Sequence, residues 1–482
     1  MRYTKYIGLI AVGLIALSGC SKIRDFGDTN ISPTLVEKPS SRALLTNAQQ
    51  NLPGLFAGND FNSISLAQYI SEGPYITYSG YANITPGTSY TGFYTSPLIQ
   101  LKTIIDFNNT GRSEADAGAN GSKNNQLAVA RIMKAFIFWK LTDRWGDLPY
   151  SEALQGNENI TPKFDKQENI YKDIFKELKE AAAQIDGGLA VKGDIILGGD
   201  MAAWKRFAAT QRLIMALRMS KVYPAAGQLA AQEFALALPD AISSNAQNIV
   251  YKYISGDPNN SNPWYNNYTV SNRNDYAISL TLVNIMKANG SGTDPRLPKY
   301  GEVLPGGVIG LQYGRTTAIN IPNAFSKIGD SFRGQGSPLS IFTFSQVCFA
   351  KAEAAKRGWI AGGDASAEGY YNDGIDANLA QNGVADATFK TQTGIVYNPA
   401  TGYEQIATQR YVASYLDGFE AWAEWRRTGY PTLVPGPNAT IPAIPRRLVY
   451  PSSDKTTNGD NYIAVVAQQG ADNTTTRIWW DK

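Results

Sequence analysis

Two pairs of acidic residues have the types and spacing that glycoside hydrolysis would need. Asp143 and Asp147 flank the tripeptide Arg-Trp-Gly, and Glu420 and Glu424 are one helical turn apart. A glycoside hydrolase needs two carboxyl groups, one on either side of the scissile bond. Each pair also has arginine neighbours in the sequence, which favours a structural ion pair over a catalytic pair. We therefore predict that the protein is not an enzyme, with a glycoside hydrolase as the less favoured alternative.

The absence of histidine from the sequence excludes most other kinds of catalytic site. The chain contains no histidine, so Ser-His-Asp and Cys-His nucleophile systems and histidine-ligated zinc sites are excluded. The sequence also lacks a phosphate-binding loop, since no strand-glycine-helix order with a Gly-Lys-Ser/Thr ending occurs. We predict no metal site and no cofactor.

Two long loop segments combine aromatic side chains with amide and guanidinium groups. The segment 72–98 is rich in tyrosine, and the segment 251–276 holds asparagines, aromatic residues and an arginine. Sugars present flat C–H faces between rings of hydroxyls, so an aromatic platform beside amide or guanidinium groups suits them. The alternative is that the tyrosines pack against loop cores and the asparagines form turns. The candidate ligand-binding residues are Tyr75, Tyr78, Tyr81, Tyr90, Asn262, Trp264, Tyr265, Asn266, Tyr268 and Arg273.

The N-terminus has the pattern of a lipoprotein signal peptide. Arg2 and Lys5 precede an apolar run, 7–17, that is too short to span a bilayer and is followed by Ser-Gly and Cys20. A lipoprotein signal peptidase requires such a cysteine, which is acylated, and two or more acyl chains anchor a protein stably. An ordinary secretory peptide with an incidental cysteine is the alternative. We predict a signal peptide at 1–19, a lipidated Cys20 with a tether to residue 40, and a single body over 41–482.

Net charge and cysteine content argue against nucleic-acid binding and against an internal disulfide. The formal charge of +3 includes Arg2 and Lys5, and residues 1–19 hold no acid, so the processed chain is near +1. That charge is too small to indicate a nucleic-acid partner. With Cys20 lipidated, Cys348 has no cysteine left to pair with. A lone cysteine in an apolar helix is typical of packing.

Hydrophobic periodicity predicts a mainly helical body. Apolar residues recur at helical spacing in the segments 126–142, 165–185, 201–222, 344–357, 368–381 and 405–425. Asp165 and Glu168 have the spacing of a capping box at the start of the second segment. Such helices would pack as antiparallel hairpins, the unit of tetratricopeptide-like solenoids, although no clean repeat of about 34 residues is present. Periodicity alone therefore supports a mainly helical body and no particular repeat.

Six short stretches occur in an order that is specific as a set, although each alone is weak. They are TDRWGDLPY at 142–150, WKRF at 204–207, GFEAWAEWRRTGYP at 418–431, IPRRLVYP at 444–451, NY at 461–462 and RIWWD at 477–481. Together they resemble the SusD/RagB family of nutrient-binding outer-membrane lipoproteins, in its SusD-like branch. The resemblance runs from the cysteine motif to the final residues, so it covers essentially the whole chain.

The resemblance implies a fold, a location and a partner. The fold is mainly α, a degenerate tetratricopeptide-like helical-pair solenoid of four pairs with a loop-rich ligand-binding part and few short strands. The protein is then a non-enzymatic lipoprotein of the cell outer membrane, lipid-anchored and facing the cell exterior. It forms a hinged lid on a SusC-like TonB-dependent barrel and delivers oligosaccharides to it.

Two alternatives remain within this interpretation of the sequence. RagB-like members have the same lid role for oligopeptides, and a purely structural adaptor would bind a protein partner only. The six stretches resemble the scaffold of the family, so they assign no ligand-binding residues. The candidate residues in the two loops therefore rest on composition alone.

Overall fold

Most of the body is helical, and helices that are consecutive in the chain pack against one another as pairs. The computed structural model describes residues 39–56, 61–81, 89–110, 118–288 and 292–482. In these ranges the main helices are α1 (Ser41–Gln50), α2 (Phe61–Leu66), α3 (Ile99–Thr110), α4 (Lys123–Trp145), α5 (Gln167–Gln184), α6 (Met201–Arg218), α7 (Leu229–Ala237), α8 (Leu280–Lys287), α9 (Phe344–Lys356), α10 (Gly363–Gln381), α11 (Gly402–Ala413), α12 (Gly418–Thr428), α13 (Ser452–Thr457) and α14 (Gly459–Gln469). Single helical turns are Thr91–Phe93, Pro263–Tyr265, Leu297–Tyr300 and Asp330–Arg333.

Four helical pairs form the scaffold of the described body. Helix α4 packs on α5, α6 on α7, α9 on α10, and α11 on α12. Within α5, Ile170, Ile174 and Leu178 are buried at the predicted helical spacing, so this face closes onto α4. The predicted fold class, a mainly α body of helical pairs with few short strands, is confirmed.

Polar side chains set the starts of several helices. Ser122, Asp200 and Thr343 precede α4, α6 and α9, and each side chain accepts a hydrogen bond from the backbone N–H three residues later, at 3.2, 2.9 and 3.2 Å. Such caps satisfy N–H groups that have no partner within the helix. The local sequence therefore fixes where each of these helices begins.

The predicted helix 405–425 is wrong in one respect, because it is two helices. Helices α11 and α12 are separated at 414–417, where Leu416 has a left-handed φ of +68°. Asp417 then caps α12 by accepting from the backbone N–H of Glu420 at 3.2 Å. The break lets α12 pack on α11 as the fourth pair.

The predicted capping box at the start of α5 does not form. Asp165 lies in a short strand, where its carboxylate accepts from the backbone N–H of Ser151 at 2.7 Å. Glu168 accepts from Lys172 at 2.7 Å instead of from the backbone. Strand pairing takes Asp165 away from the helix terminus, so the spacing alone was insufficient.

Short antiparallel strands pair segments of the chain that lie outside the helices. The strands are β1 (Ile70–Glu72), β2 (Leu148–Pro149), β3 (Phe164–Asp165), β4 (Ile249–Tyr251), β5 (Tyr276–Ile278) and β6 (Leu339–Phe342). In the described ranges they form three two-stranded sheets, β1 with β5, β2 with β3, and β4 with β6. The first sheet joins segments that are about 200 positions apart in the chain, as its partners Ile70 and Ile278 show.

A cluster of buried charges joins the helical pairs to one another. Arg218 at the end of α6 places Nε 3.2 Å from Asp143 Oδ2 on α4 and Nη2 2.8 Å from Glu420 Oε1 on α12. Arg427 Nη2 lies 2.6 Å from Glu424 Oε2 and also binds α9. We call this the central ion cluster, and its members are Asp143, Arg218, Glu353, Arg410, Glu420, Glu424 and Arg427, all buried.

The segment 477–481 closes the same core. The indole N–H of Trp480, a fully buried side chain, donates to Asp143 Oδ1 at 2.8 Å. Residues 41–482 form one compact unit. None of the helices in the described ranges combines the length and the apolar content needed to cross a membrane.

Candidate ligand-binding site

Strands β1 and β5 bring the two predicted loops to the same place. Glu72, the final residue of β1, pairs with Tyr276, the first residue of β5. One loop therefore leaves the sheet where the other enters it. The contact continues past the strands, because the backbone N–H of Gly73 donates to the carbonyl of Asp275 at 2.9 Å.

Two further segments converge on these loops. The backbone N–H of Ile319 donates to the Gly73 carbonyl at 2.9 Å, and Asn438 Nδ2 donates to the Ile76 carbonyl at 2.7 Å. Asn438 N also donates to the Gly314 carbonyl at 3.1 Å. We call the combined region the four-loop surface, formed by residues 72–81, 266–275, 313–321 and 436–440.

The contact between two of these segments requires glycine. Gly314 has a φ of +69°, and a Cβ at this position would lie 2.4 Å from the Cα of Gly436. Both the left-handed backbone and the close approach favour a residue without a side chain. The glycine-rich composition of these loops therefore has a structural cause, which is close packing of backbone on backbone.

Tyr75 and Arg273 form the exposed centre of the four-loop surface. Tyr75 is 48% exposed, and the Arg273 side chain is 45% exposed. Arg273 Nη2 donates to Tyr75 Oη at 2.5 Å, and the guanidinium carbon lies 5.4 Å from the ring centroid. Arg273 Nε donates to the buried carboxylate of Asp275 at 2.6 Å. An aromatic ring and a cation are thus held side by side while both still face solvent.

Glu72 supports the loop that carries Tyr75. This carboxylate is buried, and its Oε2 accepts from the backbone N–H of Ser79 at 2.9 Å. Within the described part of the chain its Oε1 has no hydrogen-bond donor. Burial raises the pKa of Glu72 to about 7. The half-buried Tyr78 lies in the loop that this contact closes.

Two of the predicted tyrosines lie in the interior. Tyr81 is 1% exposed, and its hydroxyl accepts from Tyr313 Oη at 3.3 Å. Tyr90 is also buried, donates to Asp454, and packs edge-to-face on Trp145 with ring centroids 5.3 Å apart. The side chains of Tyr81 and Tyr90 therefore pack in the interior and are not part of the exposed surface.

The residues around the turn Pro263–Tyr265 are also largely buried. Asn262 caps this turn by accepting from the backbone N–H of Trp264 at 2.9 Å. Trp264 packs edge-to-face on Tyr276, with ring centroids 5.9 Å apart, and Tyr268 Oη donates to the Tyr276 carbonyl at 2.9 Å. Their contacts position the segment that leads to Arg273.

Tyr265 and Asn266 remain half-buried at the start of that segment. The Asn266 carbonyl accepts from the backbone N–H of Ser271 at 2.8 Å, which closes the π-helical turn Asn266–Val270. Six of the ten candidates lie in the segments of the four-loop surface, namely Tyr75, Tyr78, Tyr81, Asn266, Tyr268 and Arg273, and of these six Tyr75 and Arg273 are exposed.

Sequence reasoning missed the residues that hold this surface in place. They are Glu72, Asn274, Asp275 and Asn438. The sequence offered one usable signal, the proximity of Asp275 to Arg273, because residues two apart in an extended segment can pair. Asn438 lies about 360 positions from the loop it binds, as its contact with Ile76 shows, and had no local signal.

The residues of the two acidic pairs make structural contacts within the helical scaffold. Glu420 and Glu424 belong to the central ion cluster, as does Asp143. Although burial alone would raise it, the charges of Arg218 and Lys140 hold the pKa of Glu420 below its ordinary value. Asp147 accepts from the backbone N–H of Gln167 at 2.8 Å. The expectation of structural ion pairs is confirmed for Asp143, Glu420 and Glu424.

Only one of the two cysteines lies in the described part of the chain. Cys20 lies outside the described residues. Cys348 is fully buried on α9, and burial raises the pKa of its thiol to about 12. This environment is that of a packing residue, as expected.

Comparisons with known proteins agree on one family. A SusD-like family profile described as "Starch-binding associating with outer membrane" matches residues 33–451. A chitin-binding protein of known structure is 29% identical over 92% of this chain and 99% of its own, with a TM-score of 0.74. A chitin-binding SusD homolog from Flavobacterium johnsoniae is 25% identical over 92% of this chain and 98% of its own, with a TM-score of 0.72.

A further solved structure is similar to this chain in fold. A SusD homolog from Bacteroides fragilis is 23% identical, covers 92% of this chain and 100% of its own, and has a TM-score of 0.76. Among curated protein sequences, no match is found.

Proposed function

This chain belongs to the SusD-like family of starch-binding proteins that associate with the outer membrane, and we propose that it binds nutrient glycans at the four-loop surface. The bound oligosaccharide then passes to a SusC-like TonB-dependent barrel. The protein acts by binding and leaves the glycan chemically unchanged.

The Tyr75 and Arg273 pair carries this proposal. An exposed ring can stack on the C–H face of a sugar, and a neighbouring guanidinium can donate to its hydroxyls. Because Asp275 and the Tyr75 hydroxyl already orient Arg273, little side-chain freedom is lost when a ligand binds. Individual contacts of this kind are modest, so we expect affinities that allow rapid release to a transporter.

The N-terminal pattern and the family support a proposal for the location of the protein. We propose that Cys20 carries the acyl chains, that residues 21–40 are the tether, and that the body faces the cell exterior. The cysteine motif after a short apolar run supports the anchor. The association of the family with the outer membrane supports the site of anchoring.

A chitin-type oligosaccharide is the ligand we favour. Two relatives of known structure, 29% and 25% identical to this chain, are named as chitin-binding. An acetamido group adds a carbonyl acceptor to each sugar, which suits the donors of Arg273. Chitotetraose is therefore the first probe to use.

Titration of the protein with chitotetraose tests the role of Tyr75. We expect Tyr75→Ala to weaken binding about tenfold or more, because removal of a stacked ring costs about 1.4 kcal/mol or more. Tyr75→Phe keeps the ring but removes the hydroxyl that accepts from Arg273, so we expect a smaller loss of affinity than in Tyr75→Ala. Tyr403, which is 41% exposed on α11 and outside the four-loop surface, provides a matched control as Tyr403→Ala.

Unchanged affinity in Tyr75→Ala would contradict the proposed site. Binding to peptide mixtures with no binding to any polysaccharide would favour the oligopeptide role. Release of reducing ends from the glycan would indicate hydrolysis and reject a pure binding role.

Purification of the lipoprotein from detergent-solubilised outer membrane tests the partner. We expect a large TonB-dependent barrel to co-purify with the parent protein. Replacement of Cys20 by Ala should release the body from the membrane. A protein that purifies alone from solubilised membrane would contradict the lid role.

A further inference from the structure

The loop between α5 and α6 packs against the first helix of the body. We call residues 185–199 the α5–α6 loop. Thr46 Oγ1 on α1 donates to the Gly193 carbonyl at 2.8 Å, and the backbone N–H of Ile195 donates to Gln49 Oε1 at 2.6 Å. The loop is therefore fixed to α1.

The segment before α4 holds the same loop from a second side. The backbone N–H of Ser122 donates to the Leu189 carbonyl at 2.9 Å, and the backbone N–H of Lys192 donates to the Asn120 carbonyl at 2.9 Å. Hydrogen bonds on two sides thus fix the backbone of the α5–α6 loop. The side chains that it exposes are held at set positions on the surface.

Two large apolar side chains of the α5–α6 loop face solvent. Leu189 is 66% exposed and Ile195 is 38% exposed, and the exposed Ala190 lies between them in the chain. The backbone between Leu189 and Ile195 can span about 20 Å at most. An isolated exposed apolar side chain is ordinary, but a group of them marks an interaction site. Transfer of this apolar area from water into an apolar phase is favourable.

Three exposed cations lie on the loop and on the two helices that it contacts. Lys192 belongs to the loop, Arg42 to the first turn of α1, and Lys123 to the first turn of α4. A Cβ on Gly193 would lie 2.4 Å from the backbone oxygen of Arg42, and Lys123 follows Ser122, which binds the loop. None of the three cations forms an ion pair within the described part of the chain. Their charges are therefore available to a partner.

Fewer acids than cations are exposed in this region. Helix α1 contains no acid. The loop contains two, of which Asp194 is buried and accepts from the indole N–H of Trp204 at 2.8 Å, whereas Asp186 is exposed. Asp200, which follows the loop, is paired with Arg206 at 3.4 Å. The exposed charge around the loop is therefore positive.

The proposed lipid anchor joins the body at this place. Helix α1 begins at Ser41, and Ser41 and Lys192 line the same small recess. The chain from Cys20 to Ser41 can span about 75 Å at most. A surface beside the point of attachment is kept near the bilayer by the anchor, so its high effective concentration favours even weak contacts with lipid.

We propose that the α5–α6 loop and the first turns of α1 and α4 form a membrane-docking surface for a bilayer with anionic headgroups. Leu189 and Ile195 enter the boundary between headgroups and acyl chains, and Arg42, Lys123 and Lys192 bind the phosphate groups. The inference rests on the proposed lipid anchor, and it adds which face of the body lies on the lipid.

Vesicle sedimentation of the full processed chain tests the apolar contact. Cys20→Ala serves as the parent, so that acyl chains do not contribute to binding. We expect Leu189→Ser to weaken binding to vesicles of phosphatidylcholine and phosphatidylglycerol about tenfold, because the apolar area of leucine no longer leaves water. Ile463→Ser is the matched control and should bind as the parent does, since Ile463 is also 66% exposed and lies on α14.

The same assay tests the charge. The parent should bind the mixed vesicles more tightly than vesicles of phosphatidylcholine alone, because exposed cations are attracted to anionic headgroups. Lys192→Ser should weaken binding to the mixed vesicles about fivefold and leave binding to phosphatidylcholine unchanged. Lys252→Ser changes an exposed lysine outside the surface and is the control.

The anchored protein allows a direct test in a bilayer. Cys20 is acylated in it and Cys348 is buried, so a thiol introduced by Ala190→Cys is the one that a fluorophore labels. A quencher carried by the lipid should reduce the emission of this label. A label introduced by Ala464→Cys, at an exposed position of α14, should keep its emission.

The outcomes either support or overturn the docking surface. Weaker vesicle binding in Leu189→Ser but not in Ile463→Ser, with quenching at position 190 and not at 464, supports it. Unchanged binding in Leu189→Ser, or equal quenching of both labels, overturns it. Loss of the co-purifying barrel in Leu189→Ser with unchanged vesicle binding would make the loop a protein contact and also overturns it. Failure of the proposed anchor is recognised separately, by a protein mass that shows no acyl chain on Cys20.

Discussion

Arg273 is an exposed side chain whose orientation is fixed by two neighbours. Asp275 binds one edge of the guanidinium and Tyr75 binds another. Orientation in advance lowers the entropy lost on binding. The remaining donors of the guanidinium face solvent with the half-exposed ring.

Glu72 should make stability depend on pH. Burial raises its pKa to about 7 from an ordinary 4.5, so the folded protein holds a proton that the unfolded chain has lost between these values. The contribution of Glu72 is therefore fully present below about pH 4.5 and is lost as the pH rises through about 7, and it amounts to roughly 3 kcal/mol. We expect Glu72→Gln to unfold at higher urea than the parent at about pH 8 and to lose this advantage at about pH 4.

Urea unfolding at both pH values provides the measurement, with Glu404→Gln as the control. Glu404 is exposed on α11, so its variant should follow the parent at both pH values. An equal difference between Glu72→Gln and the parent at both pH values would refute the assignment of this titration to Glu72.

The four-loop surface depends on contacts between residues that are distant in the chain. Asn438 Nδ2 binds the Ile76 carbonyl and lies 3.1 Å from Ser79 Oγ. We expect Asn438→Ala to loosen the loop that carries Tyr75 and to weaken chitotetraose binding about tenfold, because about 1 kcal/mol or more is lost for each buried hydrogen bond. Asn461→Ala is the control, since Asn461 Nδ2 also donates to a distant carbonyl, that of Thr161, at 2.9 Å. Equal weakening in both variants would mean that the effect is not local to the surface.

The local sequence was sufficient to predict the positions of most helices. It was insufficient where contacts between distant residues determine the local structure. Apolar spacing located α5, and Ile170, Ile174 and Leu178 are buried as predicted. The division between α11 and α12 was missed because both flanks are apolar and the left-handed Leu416 carries no local signal. Asp165 was assigned to a helix cap because its strand pairing depends on residues 148–149.

The sequence located the segments of the candidate site but did not show which of their side chains face solvent. Both predicted loops contribute to the four-loop surface. Tyrosine is amphipathic, so its type does not tell whether the ring packs inside, as Tyr81 and Tyr90 do, or faces solvent, as Tyr75 does. Burial is a property of the assembled loops, which the sequence of one loop does not contain.

The central ion cluster makes the helical pairs interdependent. Glu424 lies between Arg218, Arg410 and Arg427. We expect Glu424→Gln to lower the free energy of unfolding by about 3–5 kcal/mol, because three buried cations lose a shared carboxylate. Asp106→Asn removes an exposed pair with Lys102 on α3 and should cost about 1 kcal/mol or less.

Urea unfolding followed by tryptophan fluorescence compares these two variants. A loss in Glu424→Gln no larger than that in Asp106→Asn would show that the cluster contributes little to holding the pairs together.

The bond between Trp480 and Asp143 joins positions 337 residues apart. The ribosome releases residue 143 long before residue 480. The first helices therefore leave the ribosome before the indole of Trp480 is available to bind Asp143. Completion of folding therefore waits for synthesis of almost the entire polypeptide. The proposed export would benefit from such a delay, because a secretion channel admits an extended strand and would be blocked by a folded body.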